Sequence, residues 1–306
     1  MWGRLLGEYW SYCGPLIISS WISFAKVLSD RWILQNFGGA EQQAYFAVGV
    51  QVAAITLLAS SSILRIFWKE IAEAAEKGLQ GRIQSLYQRL SLYLMVAGAA
   101  TAGALIPWTR EIAVLGFGRD YEQAWLILAI ILFFSIHQPF GQLATTMLFA
   151  TGKTRHDTLI GIIPLVLGLP LVYYAVAPSS AVVGGLGLGA AGLGLKLVAM
   201  QLVTVYVANW VIARLNGWRP IWKPHIVAIV ALCVLGFASK YLMVGLLQPF
   251  LPLWLTAVSS LMVYSLAAAG FVYAFPWLIG STRYELTNQV TRVWRSCECM
   301  LSGLAR

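Results

Sequence analysis

Lys26, Asp30 and Arg31 fall inside one long apolar stretch of this chain, and Lys196 falls deep in another. Charges in such surroundings are costly, so each is a functional candidate or a member of a structural pair. Lys26 and Asp30 are four residues apart, share a face if the stretch is helical, and can pair. Lys196 has no acid in its own stretch. Three placements are open to it: reach to a membrane interface, a pair with Asp30 across a bundle, or a wet cavity. In the functional version Lys26, Arg31 and Lys196 line a cationic cavity. Coulomb attraction strengthens away from bulk water, so that cavity would draw an anionic group such as a diphosphate.

Other constellations carry less chemistry. The three histidines, His137, His156 and His225, sit in no H-E-x-x-H arrangement, and neither a nucleophile elbow nor a phosphate-binding loop is present. Glu111, Asp120 and Glu122 read as a hydrated loop rather than a pair of catalytic carboxylates. Gly187-Leu-Gly189-Ala-Ala-Gly192 spells the dinucleotide fingerprint but lacks the downstream acid that would hold a ribose. Gly185 and Gly189 fit close helix contact better. Of the four cysteines, Cys13 and Cys233 read as small core residues, and Cys297-Glu-Cys299 is a lone pair, weak for zinc. No cofactor is expected and no enzyme activity is expected.

The elements that position these residues follow from composition. The chain is 59% hydrophobic and only 11% charged, against about 25% charged in soluble domains. No Asp or Glu occurs between Asp157 and Glu285. A soluble surface needs acids there; a bilayer interior excludes them. An all-α integral membrane protein with about eight spans is expected, in apolar segments at 9–37, 42–67, 86–107, 121–149, 156–176, 183–213, 224–247 and 252–279. Glu8 interrupts the first stretch, so no cleavable signal peptide is expected. Pro15, Pro139, Pro164 and Pro170 should bend the helices that carry them.

With the N-terminus in the cytoplasm, most of the 21 basic residues fall on cytoplasmic connections, which orients both ends inward. The net charge of +9 is explained this way rather than by nucleic acid. Two stretches, 66–90 and the tail at 282–306, carry apolar residues at helical spacing and are expected to lie along the headgroup layer or bind a partner helix. Many tryptophans, Trp32, Trp68, Trp108, Trp210, Trp222 and Trp277 among them, fall near expected span ends.

Several local patterns recur together: Gly14-Pro15-Leu-Ile, then Leu28-Ser29-Asp30-Arg31-Trp32-Ile33-Leu34, Gly38-Gly39, and Ala44-Tyr45-Phe46. Leu115-Gly116-Phe117-Gly118-Arg119-Asp120-Tyr121-Glu122-Gln123-Ala124 follows, then Leu148-Phe149-Ala150-Thr151-Gly152-Lys153-Thr154-Arg155, and the segment 184–191 opens the next span. In order and spacing, residues 10–215 resemble the second half of polysaccharide flippases, the Wzx-type exporters of the MOP superfamily, which also holds the MATE-type multidrug and lipid II flippases. The resemblance implies one lobe of a MOP-type flippase at 1–215, two additional transmembrane helices at 216–281, and a cytoplasmic amphipathic tail at 282–306. It implies transport of an undecaprenyl-diphosphate-linked glycan across the bacterial inner membrane by alternating access between two lobes.

In that frame Lys26, Asp30, Arg31 and Lys196 are the expected substrate-binding residues. The charge argument selects them, and only Asp30-Arg31 matches a recurring feature of the family. The missing N-terminal lobe is expected on another chain, replaced by a second copy, or lost by truncation. The alternatives are a MATE-type drug/cation antiporter, a membrane-embedded glycan enzyme, and a non-transporting subunit of a glycan-assembly complex. Short outer loops disfavour the enzyme.

Overall fold

The computed structural model describes residues 2–219 and 222–287, and the side chains of 2–8, 11–12 and 56–62 are outside the description. The described residues form helices and turns without a strand. In chain order the α-helices are α1 (Trp2–Glu76), α2 (Gln80–Leu105), α3 (Thr109–Phe117), α4 (Trp125–Ala150), α5 (Thr154–Val166), α6 (Gly168–Val176), α7 (Gly189–Asn216), α8 (Lys223–Leu247) and α9 (Leu253–Ala274). Six segments are long and apolar enough to cross a membrane: Gln80–Phe117, Arg119–Ala150, Thr154–Val176, Gly189–Asn216, Lys223–Leu247 and Leu253–Ala274.

α1 holds two of the expected spans and is not one rod. Gly39 sits at φ 71°, ψ −170°, outside helical geometry. Gln43 Nε2 donates to the Arg31 carbonyl at 2.5 Å, and Arg31 donates to Gln43 Oε1 at 3.0 Å. In a straight helix those residues would be about 18 Å apart at 1.5 Å rise per residue. The chain therefore turns back at Gly39, and α1 is a helical hairpin of two limbs. The positive φ explains the glycine, because a Cβ strains that backbone.

Three further turns use the same device. Gly78, Gly152 and Gly217 sit at φ 68°, 70° and 68°. Each is followed by an N–H that reaches back to a helix carbonyl: Leu79 to Ala74 at 2.9 Å, Lys153 to Leu148 at 2.7 Å, and Trp218 to Ala213 at 2.8 Å. These are glycine C-caps. Alternation of helix direction puts all three at one end of the bundle. The stretch at 66–90, expected to lie along the headgroup layer or to bind a partner helix, folds at Gly78 into the α1–α2 hairpin. Its apolar stripes face inward, with Ile71 and Ile83 buried in the main core.

That core joins the second limb of α1 to α2, α4, α7, α8 and α9. A smaller cluster around Leu34, Phe46, Ile131 and Leu193 closes the other end, near the Gly39 turn. The tail pattern at Val290, Val293, Trp294, Cys297, Met300 and Leu304, and the Cys297–Cys299 pair, lie outside the described residues.

Candidate functional site

Two of the prolines expected to bend helices lie inside continuous helices. Pro139 lies inside α4, and Pro164 lies inside α5. The span Thr154–Val176 is interrupted at Leu167, where α5 gives way to α6. Between α1, α4, α5 and α7 is a cleft of about 670 Å³. Its walls carry polar residues at helical spacing: Ser19, Ser23 and Lys26 on α1; Gln138, Gln142 and Thr145 on α4; Lys196, Gln201 and Thr204 on α7. α5 contributes Asp157, which accepts a hydrogen bond from Thr145 at 2.8 Å. Each polar stripe is one face of an otherwise apolar helix, so the four helices turn these faces toward each other rather than to lipid.

Of the expected residues, the structure joins three and separates one. Lys196 Nζ donates to both oxygens of Asp30, at 2.6 and 2.7 Å, and the two side chains are only 1% and 8% exposed. The cross-bundle pair is thus the placement adopted among the three open to Lys196. Its ammonium balances a carboxylate that would otherwise be buried unpaired. Gly168, at the start of α6, makes the space: a Cβ there would stand 2.7 Å from Lys196 Cε.

Lys26 also lines the cleft but does not take Asp30. Among the described residues it makes no hydrogen bond or ion pair. It is the cation left facing the cleft from α1. Arg31 is elsewhere: it braces the Gly39 turn through Gln43 and lies 4.6 Å over the Phe46 ring. The cationic chamber of Lys26, Arg31 and Lys196 is therefore reduced to Lys26 beside a neutralised Lys196–Asp30 pair.

Sequence reasoning passed over Asp157, Gln138, Gln142 and Gln201. For Gln138, Gln142 and Thr145 the signal is present, as polar residues at i, i+4 and i+7 inside an apolar stretch; Asp157 and Gln201 carry no such pattern. Gly141 belongs to the same arrangement, since a Cβ there would lie 2.8 Å from Gln201 Nε2.

The other flagged groups are structural. Glu111 accepts from Lys240 at 2.6 Å and Arg110 pairs with Glu122, so two of the three outer acids are held in ion pairs; Asp120 and Glu122 line an outer recess together with Arg110 and Arg119. Gly192 brings α7 against the Ala175 backbone of α6, and Gly185 packs on the Tyr174 and Ala177 carbonyls. The stretch does pack closely, but not as a helix-borne Gly185/Gly189 pair: Gly185 lies in the loop before α7, and Gly189, the first residue of α7, meets the Gln42 side chain. No protein-family model, curated protein or solved structure matches the chain.

Proposed function

We propose that the chain is a membrane transport protein for an anionic lipid-linked oligosaccharide, the undecaprenyl-diphosphate-linked class carried by polysaccharide flippases of the MOP superfamily. In this reading it sits in the bacterial inner membrane and crosses it eight times, through six apolar helices and the two limbs of α1. Both termini face the cytoplasm, where the charge asymmetry puts the Gly78, Gly152 and Gly217 turns. The observation that carries the proposal is the cleft: a chamber lined by an unpaired cation, three glutamines and apolar side chains, three of whose four helices are apolar enough to cross a membrane.

Lys26 would meet the diphosphate, and Gln138, Gln142 and Gln201 would exchange hydrogen bonds with sugar hydroxyls. The Lys196–Asp30 pair would hold α1 to α7 as one wall. Pro139 and Pro164 inside α4 and α5, and the interruption at Leu167, would supply points at which such a wall can bend. Alternating access needs a second wall moving against the first, and a second copy or another helical lobe would supply it.

The test is Lys26→Gln in cells lacking the native copy, scored as surface glycan with protein amount measured in parallel. Export is expected to fall about tenfold or more, the loss from removing one charged contact worth about 1.5–3 kcal/mol. Unchanged export at normal protein amount removes Lys26, and with it the cationic cleft, from the mechanism.

One observation favours a second reading. Asp157 places a carboxylate in the same cleft, hydrogen-bonded to Thr145, as a cation-coupled antiporter would require. Asp157→Asn separates the two. Loss of efflux of a cationic drug with glycan export intact supports the antiporter; loss of glycan export alone supports the flippase.

A further inference from the structure

His225 has no role in the cleft. It lies in the first turn of α8, is 2% exposed, and has no hydrogen-bond partner at either ring nitrogen among the described residues. It lines a separate recess between α2, α7 and α8. The recess measures about 30 Å³, room for roughly two oxygen atoms at about 10–15 Å³ each. Arg219 and the amide of Gln88 also line it, while Trp218 and Trp222 form its aromatic sides. Arg219 and Lys223 make no ion pair among the described residues, and no acid lies near them in sequence. The rings are fixed: Trp222 packs on Tyr206 at 4.7 Å, and Phe140 meets His225 edge-on at 5.0 Å.

We infer that this recess is a binding site for a phosphoryl group, seated between the N-terminus of α8, His225 and Arg219. The positive dipole end of a 25-residue helix favours an anion. His225 supplies a buried N–H, and Arg219 supplies a planar fork suited to phosphate oxygens. The recess admits phosphoryl oxygens alone, so the rest of the ligand stays at the mouth, between two tryptophans of the kind found at membrane interfaces. Two sources carry this chemistry: the headgroup of an anionic phospholipid and free phosphate. The site stands apart from the cleft and does not depend on the transport reading.

The test uses the full chain in mild detergent, with thermal stability followed on titration of phosphatidylglycerol, phosphatidylcholine or inorganic phosphate. Phosphatidylglycerol is expected to raise the melting temperature saturably. Arg219→Gln and His225→Phe should each weaken that response about tenfold or more, as loss of a charged hydrogen bond does. Lys69→Gln, at an exposed lysine on α1, should leave it unchanged. Inorganic phosphate competing away the response identifies a free-anion site; its failure to compete identifies a headgroup site. If His225→Phe does not fold, Arg219→Gln decides alone. An equal response to phosphatidylcholine, or an unchanged phosphatidylglycerol response in the variants, overturns the assignment.

Discussion

α5–α6 and α8 have equal mean hydropathy over their apolar spans, yet they pack by different rules. α5–α6 is broken at Leu167, carries Pro164, and turns Asp157 into the cleft. α8 runs unbroken and lies so close to α2 that Gly236 rests on the Gly103 carbonyl, with no space for a Cβ. Tyr264 on α9 completes that layer by donating to the Ala100 carbonyl at 2.8 Å. Apolarity alone therefore does not say what a span does. Polar residues on one face, together with breaks in the backbone, distinguish a wall of a chamber from a packed strut.

The largest expected effect is in the cleft wall. Lys196→Met leaves Asp30 buried without its partner and should cost about 3–5 kcal/mol of stability. The double variant Asp30→Leu with Lys196→Met should recover most of it, because an apolar pair of similar volume replaces the ion pair. Equilibrium unfolding in mixed detergent measures both; a double variant no more stable than the single would mean the pair is not the source of the loss.

Next comes the packed layer. Gly236→Ile forces a branched side chain against the α2 backbone and should cost about 1–3 kcal/mol, where the same change at Gly245, which faces open space, should cost far less. Equal losses at the two positions would erase the contrast between strut and surface. Tyr264→Phe removes one hydrogen bond and should cost about 1 kcal/mol. The smallest effect on stability belongs to Lys26→Gln, expected within about 0.5 kcal/mol, since the side chain has no partner to lose. A large loss there would make Lys26 a structural residue and weaken its place in the cleft.

Much of this was legible in the sequence, for physical reasons. Spans announce themselves because lipid forbids charge over a whole helix length, so the acid-free run from Asp157 to Glu285 was a direct reading of solvent. Lys196 could be paired with Asp30 as one of three choices, because buried opposite charges seek each other. The choice itself needed three-dimensional proximity. Arg31 was misplaced because adjacency to Asp30 says nothing about direction: successive residues of a helix point about 100° apart, so Arg31 turns to the Gly39 hairpin while Asp30 faces α7. The 66–90 stretch has true amphipathic periodicity, but Gly78 folds it on itself, and periodicity does not distinguish a stripe facing lipid headgroups from one facing a partner helix. His225 was dismissed for lack of a catalytic motif; only burial without a hydrogen-bond partner makes it stand out.

The central claim is that water enters a polar cleft within the lipid-embedded bundle. Site-directed cysteine labelling tests it most directly. With Cys13, Cys233, Cys297 and Cys299 replaced by alanine, Ser23→Cys, Gln142→Cys and Gln201→Cys are treated in native membranes with a charged thiol reagent. Ser260→Cys, buried in the packed layer on α9, is the reference. The account predicts rapid labelling at the three cleft positions and none at residue 260. Cleft cysteines as unreactive as the one at residue 260 would contradict it.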